Sequence, residues 1–179
     1  MIVLITGGSG SGKSEYAEKL TMELGTKNMC YYIATMEKSS DEAEKRIKRH
    51  RKLREDKPFV TIEKPYAINE LELDKGATIL LECVSNLLAN ELYMPYRERK
   101  RKETSIAKGI VEEILSLTEK CENAVLVTND IFSDGCTYDD EVRYYIEELG
   151  KINQLLAQKA DLFIEVVCGI PVVWKGKQQ

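Results

Sequence analysis

The sequence predicts an α/β fold. One domain over residues 1–179 is built on a mostly parallel central sheet flanked by helices, with a C-terminal antiparallel edge strand. Three observations carry this expectation. Short apolar runs alternate with longer stretches of helical spacing. Most of the runs are apolar at successive positions rather than at alternate ones, as strands covered on both faces are. The first run leads directly into a glycine-rich turn and then a helical stretch, the start of a βα unit.

The elements follow in order. Ile2–Thr6 is the first strand, and Lys13–Leu24 is the helix after the glycine-rich turn. Cys30–Ala34 is the second strand. Ser39-Ser40-Asp41-Glu42 resembles a capping box that opens a helix through about Glu55. Val60–Glu63 reads as a short edge piece, Thr78–Glu82 as a strand and Ser85–Leu92 as a helix. A further helix runs from about Lys102 to Glu119, followed by a strand over Ala124–Thr128. Thr137-Tyr138-Asp139-Asp140 starts the last long helix. Its stripe of Val142, Tyr145, Ile146, Leu149, Ile152 and Leu156 has helical spacing and is assigned to the core. After the strand Leu162–Val167, Gly169-Ile170-Pro171 turns the chain into Val172–Lys175, the antiparallel edge strand.

Composition narrows the function classes. The net charge of −4 argues against a dedicated nucleic-acid binder. No apolar run approaches the ~20 residues that span a bilayer. The start, Met1-Ile2-Val3-Leu4-Ile5, lacks the basic opening and cleavage site of a signal peptide. These features predict a cytoplasmic protein without stable membrane insertion. Cys30, Cys83, Cys121, Cys136 and Cys168 form no C-x-x-C pair and are expected as buried free thiols.

The strongest motif is Gly7-Gly8-Ser9-Gly10-Ser11-Gly12-Lys13-Ser14, which fits G-x-x-x-x-G-K-[ST] between a strand and a helix. Its glycines let successive backbone N–H groups turn toward phosphates, and the helix adds its positive N-terminal end. Lys13 is expected to reach the β- and γ-phosphates, and Ser14 to ligate Mg²⁺. Such a metal needs a second anchor, usually an acid ending a neighbouring strand. Glu82 is the candidate, as metal ligand or alternatively as a helix-capping acid beside Ser85.

His50 is the only histidine. At 100° per residue, Ala43, Ile47, His50 and Arg54 share one arc of the predicted helix, with Arg46 at its margin. An imidazole beside Arg46 and Arg54 tends to stay neutral, and neutral imidazole can attack phosphorus while these arginines bind the phosphates being displaced; Arg51, next to His50, is a further nucleotide-binding candidate. The residue types alone favour the other reading, a polar position on a solvated basic helix, since charge runs are usually solvated faces.

Taken together, these residues resemble the bifunctional adenosylcobinamide kinase / adenosylcobinamide-phosphate guanylyltransferase family of cobalamin nucleotide-loop assembly. The similarity runs from Ile2 to about Lys175. It rests on Thr6-Gly7-Gly8 with the P-loop, Tyr32-Ile33-Ala34-Thr35, Arg46-Ile47-x-x-His50 and Leu80-Leu81-Glu82-Cys83. It continues in Val127-Thr128-Asn129, Gly150-Lys151-Ile152-Asn153-Gln154, Ala160-Asp161 and Gly169-Ile170-Pro171. The resemblance implies a RecA-like P-loop NTPase domain using GTP and ATP with Mg²⁺, and a homotrimer. It implies that His50 takes GMP from GTP as a phosphoramidate and passes it to cobinamide phosphate. It also implies that Ala34, Thr35, Met36, Glu63 and Glu82 contact nucleotide. Where the family reads T-N-E-V-G, this chain reads Thr128-Asn129-Asp130-Ile131-Phe132. Two other readings remain open from the residues: a P-loop small-molecule kinase without a covalent step, and a nucleotide-binding regulatory protein without turnover.

Overall fold

The computed structural model describes residues 1–26, 28–37, 48, 56–93, 105–131 and 135–177. Its sheet has seven strands: β1 (Ile2–Thr6), β2 (Cys30–Ala34), β3 (Phe59–Glu63), β4 (Thr78–Glu82), β5 (Asn123–Val127), β6 (Leu162–Val167) and β7 (Ile170–Lys175). They lie in the order β3-β2-β4-β5-β1-β6-β7, and every pair is parallel except β6 and β7. The described helices are α1 (Lys13–Leu24), α2 (Val84–Tyr93), α3 (Ile106–Thr118) and α4 (Asp140–Lys159).

The continuous apolar runs occupy the middle of the sheet, as anticipated. Val3, Leu4, Ile5, Ile79, Leu80, Leu81, Val125, Leu126 and Val127 have no exposed surface. Alternate residues serve opposite faces. Val3, Ile5, Leu80 and Val127 pack with Ala17 and Leu20 of α1, whereas Leu4, Ile79, Leu81 and Leu126 pack with α2, α3 and α4. With both faces covered, no polar alternation is tolerated in these strands.

Several boundaries differ from expectation. β5 begins at Asn123, because Asn123 pairs with Thr78; Thr128 follows the strand, although its N–H still donates to the Ile5 carbonyl. β7 starts two residues earlier than the sequence suggests, at Ile170, and accommodates Pro171 as an edge strand permits. The turn before it is a two-residue loop with positive φ at both Cys168 and Gly169. In α4, Leu149, Ile152 and Leu156 are buried, but Val142, Tyr145 and Ile146 are only half-buried. The first turns of α4 lie beside α2, where Tyr145 donates to the Ser85 carbonyl and stacks against Tyr93. No disulfide joins the five cysteines, yet only Cys30 and Cys83 are buried; Cys136 and Cys168 are exposed. The 3-10 turn at Ile68–Glu70 had no sequence signal. The helix expected up to about Glu55, and with it His50 and Arg51, lies outside the described residues apart from Lys48.

The start of α3 is capped from a distance. The buried Glu148 carboxylate of α4 accepts from the Ala107 N–H at 3.0 Å and from Lys151 Nζ at 2.7 Å. Burial alone would raise the Glu148 pKa, but these bonds outweigh it and the net shift is downward. A carboxyl with a lower pKa folded than unfolded adds stability above the ordinary glutamate pKa and loses it as pH falls through the folded value. Glu148→Gln is therefore expected to cost about 1–2 kcal/mol at neutral pH. The difference from the parent should close progressively below about pH 4. Urea unfolding of both proteins across this range checks it.

Candidate active site

The P-loop leaves β1, at the carboxyl edge of the parallel sheet, where α/β folds place ligands. Two of its glycines are required by geometry. Gly7 has φ 154°, and a Cβ there would stand 2.6 Å from both Ser11 Oγ and the Val166 carbonyl. Gly12, the residue before α1, has φ 90° and would bring a Cβ to 3.3 Å from Gly169 Cα. The loop is also tied to the β6–β7 turn, since the Gly169 N–H donates to the Ser11 carbonyl at 2.8 Å. Gly8, Ser9, Gly10 and Ser11 complete the curve, with Ser9 and Gly10 exposed.

Lys13 and Ser14 open α1. Lys13 is 9% exposed, and its Nζ donates to the Gly8 carbonyl at 3.0 Å, folding the side chain back over the loop. Burial pushes its pKa below the ordinary lysine value, while Cys83 and Glu82 act in the opposite sense. An incoming phosphate would strengthen the charged form further. Ser14 Oγ donates to Glu82 Oε1 at 2.5 Å. The two residues thus present a hydroxyl and a carboxylate oxygen side by side. Such a hard oxygen pair suits Mg²⁺, which commonly binds through one or two protein ligands plus substrate phosphates.

Strand order explains this meeting. β5 separates β1 from β4, and one register row joins Glu63, Ala34, Glu82, Val127 and Ile5. Residues of one row in a parallel sheet point the same way. Glu82 therefore faces the α1 side with Ile5 and Val127, and α1 carries Ser14. Glu63 lies in the same row, two strands from Glu82 and beyond Ala34, and is exposed.

Sequence reasoning missed Tyr32. It lies on the same face, two residues before Ala34, and its hydroxyl donates to Glu82 Oε2 at 2.8 Å. The ring is 2% exposed and meets Phe59 edge-on. Both Glu82 oxygens thus accept from hydroxyls, which fixes the carboxylate's orientation. Tyr32→Phe keeps the packing and removes one of these bonds. It is expected to raise the Mg²⁺ concentration for half-maximal nucleotide binding about fivefold, the equivalent of roughly 1 kcal/mol. A Mg²⁺ titration with a fluorescent GTP analogue checks this; an unchanged midpoint would leave Tyr32 as packing alone.

The turn after β2 is held from within. Thr35 has no exposed surface; its Oγ1 donates to the Cys83 carbonyl at 2.8 Å and accepts from the Cys83 N–H at 2.7 Å. The Thr35 N–H donates to the Glu82 carbonyl, and Asn90 Nδ2 donates to the Thr35 carbonyl. Its polar groups therefore brace the end of β4, while Ala34 and Met36 on either side are half-buried. At the end of β5, Asn129 Nδ2 donates to Ser85 Oγ at 2.6 Å, and Asn153 Nδ2 donates to the Asn129 carbonyl. The structure thus gathers Lys13, Ser14 and Glu82, with the Ala34–Met36 turn alongside Glu82; His50 and Arg51 are outside the described residues.

Known proteins resemble this chain in sequence and in fold. The bifunctional adenosylcobalamin biosynthesis protein CobU of Escherichia coli is 32% identical, with 96% of this chain and 98% of that protein covered. The bifunctional adenosylcobalamin biosynthesis protein CobP of Pseudomonas aeruginosa is 30% identical, with 97% of each covered. Among solved structures, the flagellar accessory protein FlaH of Methanocaldococcus jannaschii superposes with a TM-score of 0.53 at 13% identity, covering 99% of this chain and 81% of that one. This likeness shows the RecA-like P-loop fold. Residues 3–174 match the sequence model described as cobinamide kinase / cobinamide phosphate guanyltransferase, and the chain belongs to that family.

Proposed function

We propose that this chain phosphorylates adenosylcobinamide and then transfers GMP from GTP to the phosphorylated product through a covalent intermediate on His50. The observation that carries this reading is the family match over residues 3–174, joined to the Lys13–Ser14–Glu82 arrangement at one edge of the sheet.

In the first reaction the acceptor hydroxyl attacks the γ-phosphorus of ATP or GTP, and the nucleoside diphosphate leaves. Lys13 and the P-loop N–H groups hold the phosphates in line and offset charge that grows on their oxygens. Mg²⁺ bound with the nucleotide would be held by Ser14 and Glu82 and would supply further charge neutralisation. In the second reaction an imidazole nitrogen of His50 attacks the α-phosphorus of GTP and pyrophosphate leaves. A phosphate oxygen of the acceptor then attacks the adduct and releases the imidazole, so one transfer becomes two displacements. Arg51, Glu63 and the Ala34–Thr35–Met36 turn are assigned to nucleotide contacts. We also infer a cytoplasmic, single-domain homotrimer. The exposed Ile170, Val172, Val173 and Trp174 of edge strand β7 support self-association.

The test is to incubate the protein with adenosylcobinamide, Mg²⁺ and ATP or GTP and to follow the corrinoid by mass spectrometry. The expected record is a gain of one phosphate, then of GMP. Phosphorylation of nucleoside monophosphates with the corrinoid untouched would instead identify a plain P-loop kinase. Tight nucleotide binding without turnover would identify a regulatory protein.

A further inference from the structure

The resemblance assigns Thr35 to nucleotide contact, whereas the structure turns its side chain inward. β2 ends at Ala34, the register partner of Glu82, so Thr35 stands beside Cys83 just beyond the paired strands. It has no exposed surface. Both polar groups of the peptide that joins Glu82 to Cys83 are bonded to it. The Thr35 N–H donates to the Glu82 carbonyl at 3.0 Å, and the Cys83 N–H donates to Thr35 Oγ1 at 2.7 Å. The hydroxyl itself donates to the Cys83 carbonyl at 2.8 Å. Helix α2 starts from the same point, since the Leu87 N–H donates to that carbonyl at 3.3 Å.

Asn90 closes the arrangement from about two turns further along α2. It is 8% exposed, and its Nδ2 donates to the Thr35 carbonyl at 2.8 Å and to the Pro65 carbonyl at 3.0 Å. Both amide hydrogens are thereby used. One side chain therefore ties the turn after β2 to the chain just after β3. Thr35, for its part, has no hydrogen left to donate and no surface on which a phosphate or a ribose could rest.

We propose that Thr35 and Asn90 are positioning residues for the metal-binding carboxylate, acting from behind the site through the backbone of Glu82. The inference rests on the proposed function, in which Glu82 helps to hold Mg²⁺, and adds what holds Glu82. Ser14 and Tyr32 orient the carboxylate, and Thr35 fixes the peptide from which it projects. The site needs both, because an ion that demands near-ideal octahedral geometry tolerates little drift in a ligand. Within the turn after β2, contact with nucleotide then falls to Ala34 and Met36, which flank Thr35 and are half-buried.

The test is a Mg²⁺ titration of the full chain with a fluorescent GTP analogue, beside the affinity for the same analogue in EDTA. Thr35→Val keeps the shape and removes the hydroxyl. It should raise the Mg²⁺ midpoint about tenfold, the loss of two hydrogen bonds. Thr35→Ser keeps the hydroxyl, and its midpoint should lie within about twofold of the parent. Affinity in EDTA should change by less than about twofold in either variant. An equal loss of affinity with and without Mg²⁺ would make Thr35 a nucleotide contact or a general brace of the fold, and overturns the proposal. An unchanged midpoint in Thr35→Val does the same. Should a thermal melt show that Thr35→Val does not fold, Asn90→Ala decides, because it leaves the Cys83 bonds in place. It is expected to raise the midpoint about threefold, and no rise overturns the pairing. If the parent responds to Mg²⁺ and the variants match it, only this inference falls. If nucleotide binding by the parent is indifferent to Mg²⁺, the metal role of Glu82 in the proposed function falls, and this inference with it.

Discussion

His50→Ala is expected to abolish a GMP-bearing form of the protein that the parent builds up when given GTP and Mg²⁺ without corrinoid. The parent should gain one GMP by intact mass, and acid should remove it, as a phosphoramidate requires. His50 is the only histidine in the chain, so no neighbouring imidazole can substitute. Without a nucleophile the two-displacement route closes, and GMP transfer to cobinamide phosphate should fall by roughly 10⁴-fold or more. Nucleotide binding should persist, because the P-loop is made by residues 7–14 and stands on β1 and α1. A His50→Ala protein that transfers GMP at the parent rate would remove His50 from the mechanism.

Lys13→Ala carries the second large expectation. The ammonium lies over the loop within 3.0 Å of the Gly8 carbonyl and is largely removed from water. A charge in such surroundings acts strongly on the phosphoryl oxygens, and one comparable preorganised donor accounts for about 10²–10³ in rate. Phosphorylation of adenosylcobinamide should therefore fall by that factor in kcat. The change also removes a buried charge that burial disfavours, so the folded protein should lose little stability. A steady-state assay beside a thermal melt separates the two effects. A kcat within about threefold of the parent would show that Lys13 does not bear the developing charge.

What the sequence made legible was local. Lys13 and Ser14 follow from one contiguous motif, and Glu82 from its place at the end of an apolar run. Tyr32 escaped notice because its partner is 50 positions away and its hydroxyl sits in an otherwise apolar strand. Its two-residue spacing from Ala34 was the available sign that both share a face. Thr35 shows a different limit. The resemblance marked it as a site residue, whereas the sequence held nothing to show that its side chain turns inward to Cys83. The pairing of Asn129 with Ser85 likewise depends on β5 and α2 being neighbours, which strand order decides. The stripe of α4 was readable as a face, but not that its first turns would meet α2 instead of the sheet.

The position of β1 has a consequence for biosynthesis. This strand is made before its partners, yet it sits between β5 and β6, and Ile2 finds its partner Ala124 only after more than a hundred further residues have been made. The brace from Gly169 to Ser11 forms later still. A nascent chain therefore carries residues 7–14 through the synthesis of more than a hundred further residues without the strands that shape the loop. Formation of the site is a late, long-range event, and such closures slow folding and lengthen the exposure of apolar strands. A nucleotide bound at this loop would reward folding fully once the β6–β7 hairpin has docked, so it would favour the assembled sheet and not the growing chain.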